Sequence, residues 1–284
     1  MVAVPGAEPF AADGGPLGVL VCHGFTGSPV SVRPWAEHLA AAGCTVELPR
    51  LPGHGTDWRE LVLTRWEDWY WEVERAHARL RERCDTVVAM GLSMGGTLVT
   101  HLAAQQGAGP GGVDGLVLVN PSFLGDRRAL RAVPYLKHVV RSVRSIGNDI
   151  ARPGYDEQAY PRVPTPAIHS LTELWRVVQA ELFLVTQPVL AFRSELDGVV
   201  GPRSMELFRH EVGSDDVTVV PLHRSRHVAT LDHDADLIHA RSLEFARRIA
   251  GSATVPDRPP AQAPLQTPAG GPTTTTTSMT EPTA

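Results

Sequence analysis

The pentapeptide Gly-Leu-Ser-Met-Gly at residues 91–95 constrains the fold of this chain more than any other feature. It follows an apolar run typical of a strand, residues 86–90, and precedes a helical stretch, residues 97–106. A serine between a strand and a helix must occupy a tight, strained turn, so its neighbours must be small, as the two glycines are. The sequence therefore predicts a strand–turn–helix unit that presents Ser93 as a nucleophile.

The rest of the chain repeats this alternation of short apolar runs and helical patterns. Runs rich in Val and Leu are typical of strands buried on both faces, and their alternation with helices favours a parallel sheet. We therefore predict an α/β fold, with a mostly parallel central sheet flanked by helices. The predicted strands are residues 17–22, 44–48, 86–90, 115–119, 188–192 and 217–220.

Composition and charge exclude several classes of protein. The chain has 26 Lys and Arg against 31 Asp and Glu, a net charge of −5 that argues against nucleic acid as a partner. No apolar run has the roughly 20 residues of a membrane-spanning helix, and the first residues lack the features of a signal peptide. We therefore expect a cytoplasmic protein. The three cysteines are widely spaced, which argues against a disulfide framework or a cysteine metal site.

The predicted strands divide the chain into three parts. Residues 1–16 are expected to be an N-terminal extension, residues 17–250 a single domain and residues 251–284 a tail. The tail holds seven prolines and the run Thr273–Thr277, a composition that predicts disorder. Within the domain, about residues 122–187 contain no convincing strand, and we expect them to form a small helical cap.

Two amphipathic helices are predicted in this cap, joined by the Pro-rich residues 153–166. Residues 122–147 also carry six basic side chains and one acidic side chain. This basic face is either solvated helix surface or a site of transient contact with anionic lipid aggregates. The apolar positions expected to bind substrate are Tyr135, Leu136, Val139 and Val140 in the first helix and Leu174, Trp175 and Val178 in the second.

A serine nucleophile requires a base and a carboxylate that orients the base. In folds with this turn the acid precedes the base in the chain, and both lie in loops after strands. Asp197 and Glu195 follow the fifth predicted strand, and His223 and His227 follow the sixth. We favour Asp197, because Gly198 beside it suits a tight turn, and His227, which leads into a helix. Glu195 and His223 remain the alternatives.

The tetrahedral intermediate of acyl transfer also requires backbone N–H donors. Met94 supplies one, because the first N–H groups of a helix have no partner within it. The loop after the first predicted strand, His23-Gly-Phe-Thr-Gly27, supplies the other from Phe25, with Gly24 allowing close approach. The alternative for this loop is a plain tight turn. We expect His23 to fix the loop through its ring nitrogens.

Five segments of the chain form a recognisable set. They are His-Gly-Phe-Thr-Gly-Ser at residues 23–28, Leu-Pro-Gly-His-Gly at 51–55, Gly-Leu-Ser-Met-Gly-Gly at 91–96, Asp-Gly-Val-Val at 197–200 and His-Val-Ala-Thr-Leu-Asp at 227–232. Together they resemble the bacterial monoacylglycerol lipases and related small carboxylesterases of the α/β-hydrolase superfamily. The likeness spans about residues 16–250.

This resemblance implies an α/β-hydrolase fold with a small cap inserted after the strand that follows the nucleophile helix. It also implies roles for five residues, which are Ser93 as nucleophile, Asp197 as acid, His227 as base, and Phe25 and Met94 as oxyanion donors. The family usually has glycine just before the catalytic histidine, whereas this chain has Arg226. We expect Arg226 to lie at the site entrance, on the side of the leaving alcohol.

The implied function is that of a serine hydrolase that cleaves carboxylic esters, monoacylglycerols or short-to-medium-chain acyl esters, through an acyl-enzyme. No metal or organic cofactor is required for this chemistry. Because function depends on the site rather than the fold, three other uses of the same triad stay open, namely acyl transfer, amide cleavage and carbon–carbon hydrolysis. A non-catalytic ligand receptor on this scaffold is a further alternative, which covalent labelling of the serine by an organophosphonate would exclude.

Overall fold

The computed structural model describes residues 3–125 and 140–253 of the protein. The strands in these residues are β1 Phe10–Ala12, β2 Leu17–Cys22, β3 Thr45–Leu48, β4 Thr86–Leu92, β5 Gly115–Val119, β6 Ser142–Arg144, β7 Arg162–Pro164, β8 Val189–Ser194 and β9 Val217–Leu222. The longer helices are α1 Arg33–Ala41, α2 Trp66–Arg81, α3 Met94–Gln106, α4 Thr165–Glu181, α5 Pro202–Glu211 and α6 Ala235–Ala253.

Seven of these strands form the central sheet, in the order β1-β3-β2-β4-β5-β8-β9. Only β1 runs antiparallel to its neighbour, and the other pairs are parallel. Successive side chains of β4 pack into two different apolar clusters, Val87 and Ala89 with α2, α3 and α4, and Val88 and Met90 with α1 and α6. Helices therefore cover both faces, which confirms the predicted α/β fold and explains why its strands are apolar on both faces.

The N-terminal residues differ from the prediction of an extension before the domain. Phe10–Ala12 forms an edge strand that pairs with Val46–Leu48 of β3, and Ala7 is fully buried. A strand of three residues is too short to show a periodic pattern, so its sequence gave no signal. At the other end, α6 continues to Ala253, two residues beyond the predicted start of the tail. The remaining tail, from residue 254, lies outside the described residues.

Residues 126–139, which include part of the first predicted helix, lie outside the described residues. Residues 142–144, expected at the end of that helix, instead form a strand that pairs antiparallel with residues 162–164, and the helix α4 follows directly. Ser170 and Glu173 have the spacing of a capping box, which predicts that the second helix of the cap begins at Ser170, but α4 begins at Thr165. The Ser170 hydroxyl instead accepts a hydrogen bond of 2.8 Å from Trp66 N, the first residue of α2. The helix-capping serine thus serves a neighbouring helix, which only the packing of α2 against α4 could reveal.

No helix in residues 3–125 or 140–253 is long and apolar enough to cross a membrane.

Candidate active site

Ser93 lies on a strained turn between β4 and α3. Its φ of +56° and ψ of −120° are rare for a residue with a side chain. The turn depends on its glycines, because a Cβ on Gly91 would lie 2.4 Å from the backbone of Gly95. A Cβ on Gly95 would lie 2.2 Å from Cys22 O. Ser93 N donates to Val119 O at 2.9 Å, which ties the turn to the end of β5.

Asp197 and His227 are in direct contact, although 30 residues separate them in the chain. Each lies in a loop after a strand, Asp197 after β8 and His227 after β9. His227 Nδ1 lies 2.9 Å from Asp197 Oδ2, while Asp197 Oδ1 accepts hydrogen bonds of 2.8 Å from Val199 N and Val200 N. The adjacent, parallel strands β8 and β9 bring the two loops together because their carboxyl ends lie at the same edge of the sheet.

The environment of Asp197 favours its ionised form. Its side chain is fully buried, and burial alone raises the pKa of the carboxyl. The hydrogen bond and charge of His227, together with the N–H groups of Val200 and Val199, outweigh this effect and hold the pKa below its usual value. The carboxylate is therefore ionised at neutral pH and can orient the imidazole.

The two alternative residues lie elsewhere. Glu195 Oε2 is 2.9 Å from His223 Nδ1, and both side chains are more than half exposed. Neither belongs to the residues that line the cavity beside Ser93. The geometry therefore favours Asp197 and His227 as the acid and base.

The loop after β2 lies against the Ser93 turn. A Cβ on Gly24 would be 3.4 Å from Ser93 Cβ, so this glycine permits the close approach. His23 holds the loop, because its Nδ1 is 2.9 Å from Gly24 O and its Nε2 accepts a hydrogen bond of 3.2 Å from Leu51 N. Burial lowers the pKa of His23 to about 4, so its ring is neutral and structural. Phe25 and Met94 both line the cavity beside Ser93.

His54 packs against two residues of this loop, His23 and Phe25. Its ring packs against His23, Phe25 and Trp69, with ring centroids 5.3, 6.1 and 5.4 Å away. Burial lowers the pKa of His54 to about 3. The Leu-Pro-Gly-His-Gly segment is therefore a structural support for the loop that carries Phe25.

A cavity of about 420 Å³ adjoins Ser93 and His227. Of the seven cap positions expected to bind substrate, Val140 and Trp175 line it. Leu174 and Val178 are instead buried in the apolar core, because they lie on the side of α4 that packs against the rest of the domain. The other three, Tyr135, Leu136 and Val139, lie outside the described residues.

Arg226 is not among the residues that line the cavity. Its side chain is 54% exposed, and its guanidinium lies 3.2 Å from Asp149 Oδ1. We expected Arg226 to lie on the side of the leaving alcohol, but its side chain forms an ion pair with Asp149 instead of lining the cavity. Because neighbouring side chains of a loop point in different directions, adjacency to His227 in sequence did not place Arg226 in the cavity.

Two acidic residues in the cavity wall were missed by the sequence analysis. Glu157 Oε1 accepts a hydrogen bond of 2.8 Å from Asn148 N, and Glu157 N donates to Asn148 Oδ1 at 3.1 Å. Burial raises the pKa of Glu157, and the charge of His227, which lines the same cavity, acts in the opposite direction. Asp149, next to Asn148, also lines the cavity. Glu157 lies in the Pro-rich residues 153–166, which we predicted to be a connector, and Asp149 lies just before them, where no pattern distinguished it.

The described residues contain no cluster of three or more His, Cys, Asp or Glu side chains that could hold a metal ion.

Comparisons with known proteins place the chain in a family. Residues 19–145 match the α/β hydrolase fold family. The chain is 41% identical over 247 residues to a thermostable monoacylglycerol lipase of Bacillus sp. (strain H-257), covering 87% of this chain and 96% of the relative. It is 27% identical over 250 residues to a carboxylesterase of Bacillus subtilis (strain 168), covering 85% of this chain and 97% of the relative.

A solved structure from a study of LipS and LipT, two metagenome-derived lipolytic enzymes, matches with a TM-score of 0.83 and 40% identity. It covers 87% of this chain and 100% of the matched chain. These similarities confirm the resemblance predicted from the five segments. The chain therefore belongs to the monoacylglycerol lipases and carboxylesterases of the α/β-hydrolase family, and it is a carboxylic ester hydrolase.

Proposed function

We propose that the protein cleaves monoacylglycerols and short-to-medium-chain acyl esters through an acyl-enzyme formed on Ser93. One observation carries this proposal. The strained Ser93 turn and His227 line the same cavity, and His227 is bonded to a buried carboxylate. A hydroxyl, an imidazole and an orienting carboxylate in this relation can perform nucleophilic acyl transfer without a cofactor.

The hydrogen bond to Asp197 determines the protonation of the base. With Nδ1–H donated to the carboxylate, His227 Nε2 carries a lone pair that accepts the proton of Ser93 Oγ. Ser93 attacks the ester carbonyl, and the N–H groups of Phe25 and Met94 stabilise the oxyanion. His227 then donates its proton to the leaving alcohol. In the second half of the reaction, His227 activates a water molecule that releases the acyl group from Ser93.

The cavity offers an apolar site for the acyl chain. Val140, Ile168, Leu171 and Trp175 all line it, and its volume lies in the lower part of the range of about 300–1,000 Å³ typical of small-molecule sites. We propose that residues 122–187 act as the cap that forms this wall. A cavity of this size favours a substrate with one acyl chain, because each further methylene gains free energy only where it contacts a wall.

Glu157 provides a polar group for the alcohol part of the substrate. The leaving alcohol must lie next to His227, which protonates it, and Glu157 lines the same cavity as His227. A carboxylate accepts hydrogen bonds from free hydroxyl groups, such as the two of a monoacylglycerol. Glu157, rather than Arg226, therefore supports a preference for glycerol esters.

The test combines labelling with substrate profiling. A fluorophosphonate probe should label the wild-type protein and leave the Ser93→Ala variant unlabelled. Purified protein should then hydrolyse monoacylglycerols of graded chain length well and emulsified triacylglycerols poorly. Efficient cleavage of long-chain triacylglycerols would contradict the proposed substrate class, and labelling of Ser93→Ala would contradict the proposed nucleophile.

A further inference from the structure

Asp149 connects the loop of the proposed acid to the loop of the proposed base. Its Oδ2 accepts hydrogen bonds from Gly198 N at 2.9 Å and from His227 N at 3.2 Å. Its backbone oxygen accepts a third from Val228 N at 3.1 Å. Gly198 and Val228 are the residues that follow Asp197 and His227 in the chain. One carboxylate therefore bonds to both loops that supply the Asp197–His227 pair.

The contact between Asp149 and Gly198 is close. A Cβ on Gly198 would lie 3.3 Å from Asp149 Oδ2 and 3.4 Å from Oδ1, so the glycine gives the carboxylate room beside the acid loop. The side chain of Asp149 is only 11% exposed. Burial protects its hydrogen bonds from competition with water and makes them effective in fixing the two loops.

We propose that Asp149 is a positioning residue of the catalytic triad, which holds the loops of Asp197 and His227 in register and adds a negative charge beside the base. This inference rests on the proposed function. A displacement of a catalytic group by about 1 Å can lower the rate by on the order of 100-fold. The hydrogen bonds of Asp149 fix the position of Asp197 and His227, so their loss should lower kcat more than it changes KM.

Asp149 also acts on the base through its charge. The described charged groups near His227 include Asp197, Asp149, Glu157 and Asp232 on the negative side. On the positive side they include Arg226, Arg193, which lies 3.8 Å from Asp197, and Arg144, which lines the same cavity. Asp149 favours the imidazolium that forms during the reaction, whereas Arg226, paired with Asp149, partly offsets this effect. Removing either charge should shift the pH profile, in opposite directions.

The experiment measures kcat, KM and the pH profile of kcat/KM with a soluble p-nitrophenyl ester for Asp149→Asn, Asp149→Ala and Arg226→Gln. Asp149→Ala should lower kcat about 10–100-fold with little change in KM. In Asp149→Asn the acidic limb should move to lower pH by about 0.5–1 unit, since the imidazolium loses a nearby negative charge. In Arg226→Gln it should move to higher pH by about 0.2–0.5 unit, a smaller shift because the arginine is half exposed.

Asp232→Asn is the matched control. The Asp232 carboxylate is fully buried and binds the same region, through Ala151 N, Arg152 N and Arg226 N. This variant should lower the melting temperature but move the acidic limb less than Asp149→Asn does, because the bonds that Asp232 accepts come from Ala151, Arg152 and Arg226 rather than from Gly198 and His227. An equal shift and an equal loss of kcat in Asp232→Asn would show that the direct contact of Asp149 with the two loops is not needed, and would overturn the inference.

The outcome separates this inference from the proposed function. If Asp149→Asn and Arg226→Gln both keep the wild-type kcat and pH profile while Ser93→Ala is inactive, the inference is wrong and the proposed function stands. If Ser93→Ala retains activity, the proposed function itself is wrong. Should Asp149→Ala fail to fold, the Asn variant and the exposed Arg226→Gln variant still decide the question.

Discussion

Glu195 and His223 form an ion pair with each other, with 2.9 Å between Oε2 and Nδ1, on the surface of the protein. These are the two residues that compete in sequence with Asp197 and His227. In the Asp197–His227 pair the distance between Oδ2 and Nδ1 is also 2.9 Å, but this pair is buried beside the Ser93 cavity. Two acid–histidine pairs of equal geometry therefore differ in burial and in access to the serine.

The difference between the pairs predicts the effect of removing each histidine. We expect His227→Ala to lower kcat by on the order of 10⁴-fold or more, because members of a triad act as a unit. His223→Ala should change kcat by less than about twofold, since an exposed ion pair contributes little. Steady-state kinetics with a soluble ester measures both. A larger loss in His223→Ala than in His227→Ala would reverse the assignment of the base.

The carboxylates provide the corresponding comparison. Asp197→Asn should lower kcat about 10³–10⁴-fold, because the amide no longer stabilises the imidazolium and favours the wrong tautomer of His227. Glu195→Gln, the matched control, should lower kcat less than about twofold. Circular dichroism should show both variants folded. Comparable losses in the two variants would mean that neither carboxylate has been assigned correctly.

Replacement of the nucleophile should separate catalysis from folding. Ser93→Ala should lower ester turnover by on the order of 10⁴-fold or more, with the remaining rate due to the oxyanion site and substrate binding. Alanine at a φ of +56° is about as strained as serine, so the melting temperature should stay within a few degrees of the wild type. Retention of more than a few per cent of activity would rule out Ser93 as the nucleophile.

Glu157 should distinguish glycerol esters from esters without free hydroxyls. We expect Glu157→Gln to raise KM for a monoacylglycerol about tenfold, because a charged acceptor of the glycerol hydroxyls is lost. The kcat/KM for a p-nitrophenyl ester of the same acyl chain should change less than about twofold. Equal losses on both substrates would show that Glu157 supports the cavity rather than the alcohol.

Buried histidines should make the protein less stable in mild acid. Burial lowers the pKa of His23 and His239 to about 4 and that of His54 to about 3, below the ordinary value of 6.5. Between these values the unfolded chain binds more protons than the folded one, so the free energy of unfolding falls as pH decreases from about 6.5 towards 4. Each histidine contributes a slope of up to about 1.4 kcal/mol per pH unit.

Urea denaturation at about pH 7.5 and pH 5 measures this effect. His239→Gln should reduce the difference in unfolding free energy between the two pH values, because it removes one of the buried histidines whose pKa is lowered in the folded protein. The exposed His210, which pairs with Glu211 at the surface, offers a control, and His210→Gln should keep the wild-type difference. A wild-type protein with equal stability at both pH values would contradict the prediction.

Local sequence determined the Ser93 turn and the strands of the sheet. Gly91 is required within the turn itself, since a Cβ on it would lie 2.4 Å from the backbone of Gly95, whereas the approach of Cys22 at the end of β2 requires Gly95. The strand pattern depends on burial on both faces, which requires consecutive apolar residues. Such signals are contained in neighbouring residues, so a single sequence was sufficient to find them.

Tertiary structure alone decided the roles of the polar residues around the triad. Glu157 is held in the cavity wall by its hydrogen bond from Asn148 N, and Asp149 by its hydrogen bonds from the loops after β8 and β9. Arg226 forms an ion pair with Asp149, and Ser170 accepts a hydrogen bond from Trp66 N at the start of α2. A buried polar group must find a hydrogen-bonding partner wherever the fold provides one. These partners come from segments up to 104 residues apart in the chain, so no local pattern could name them.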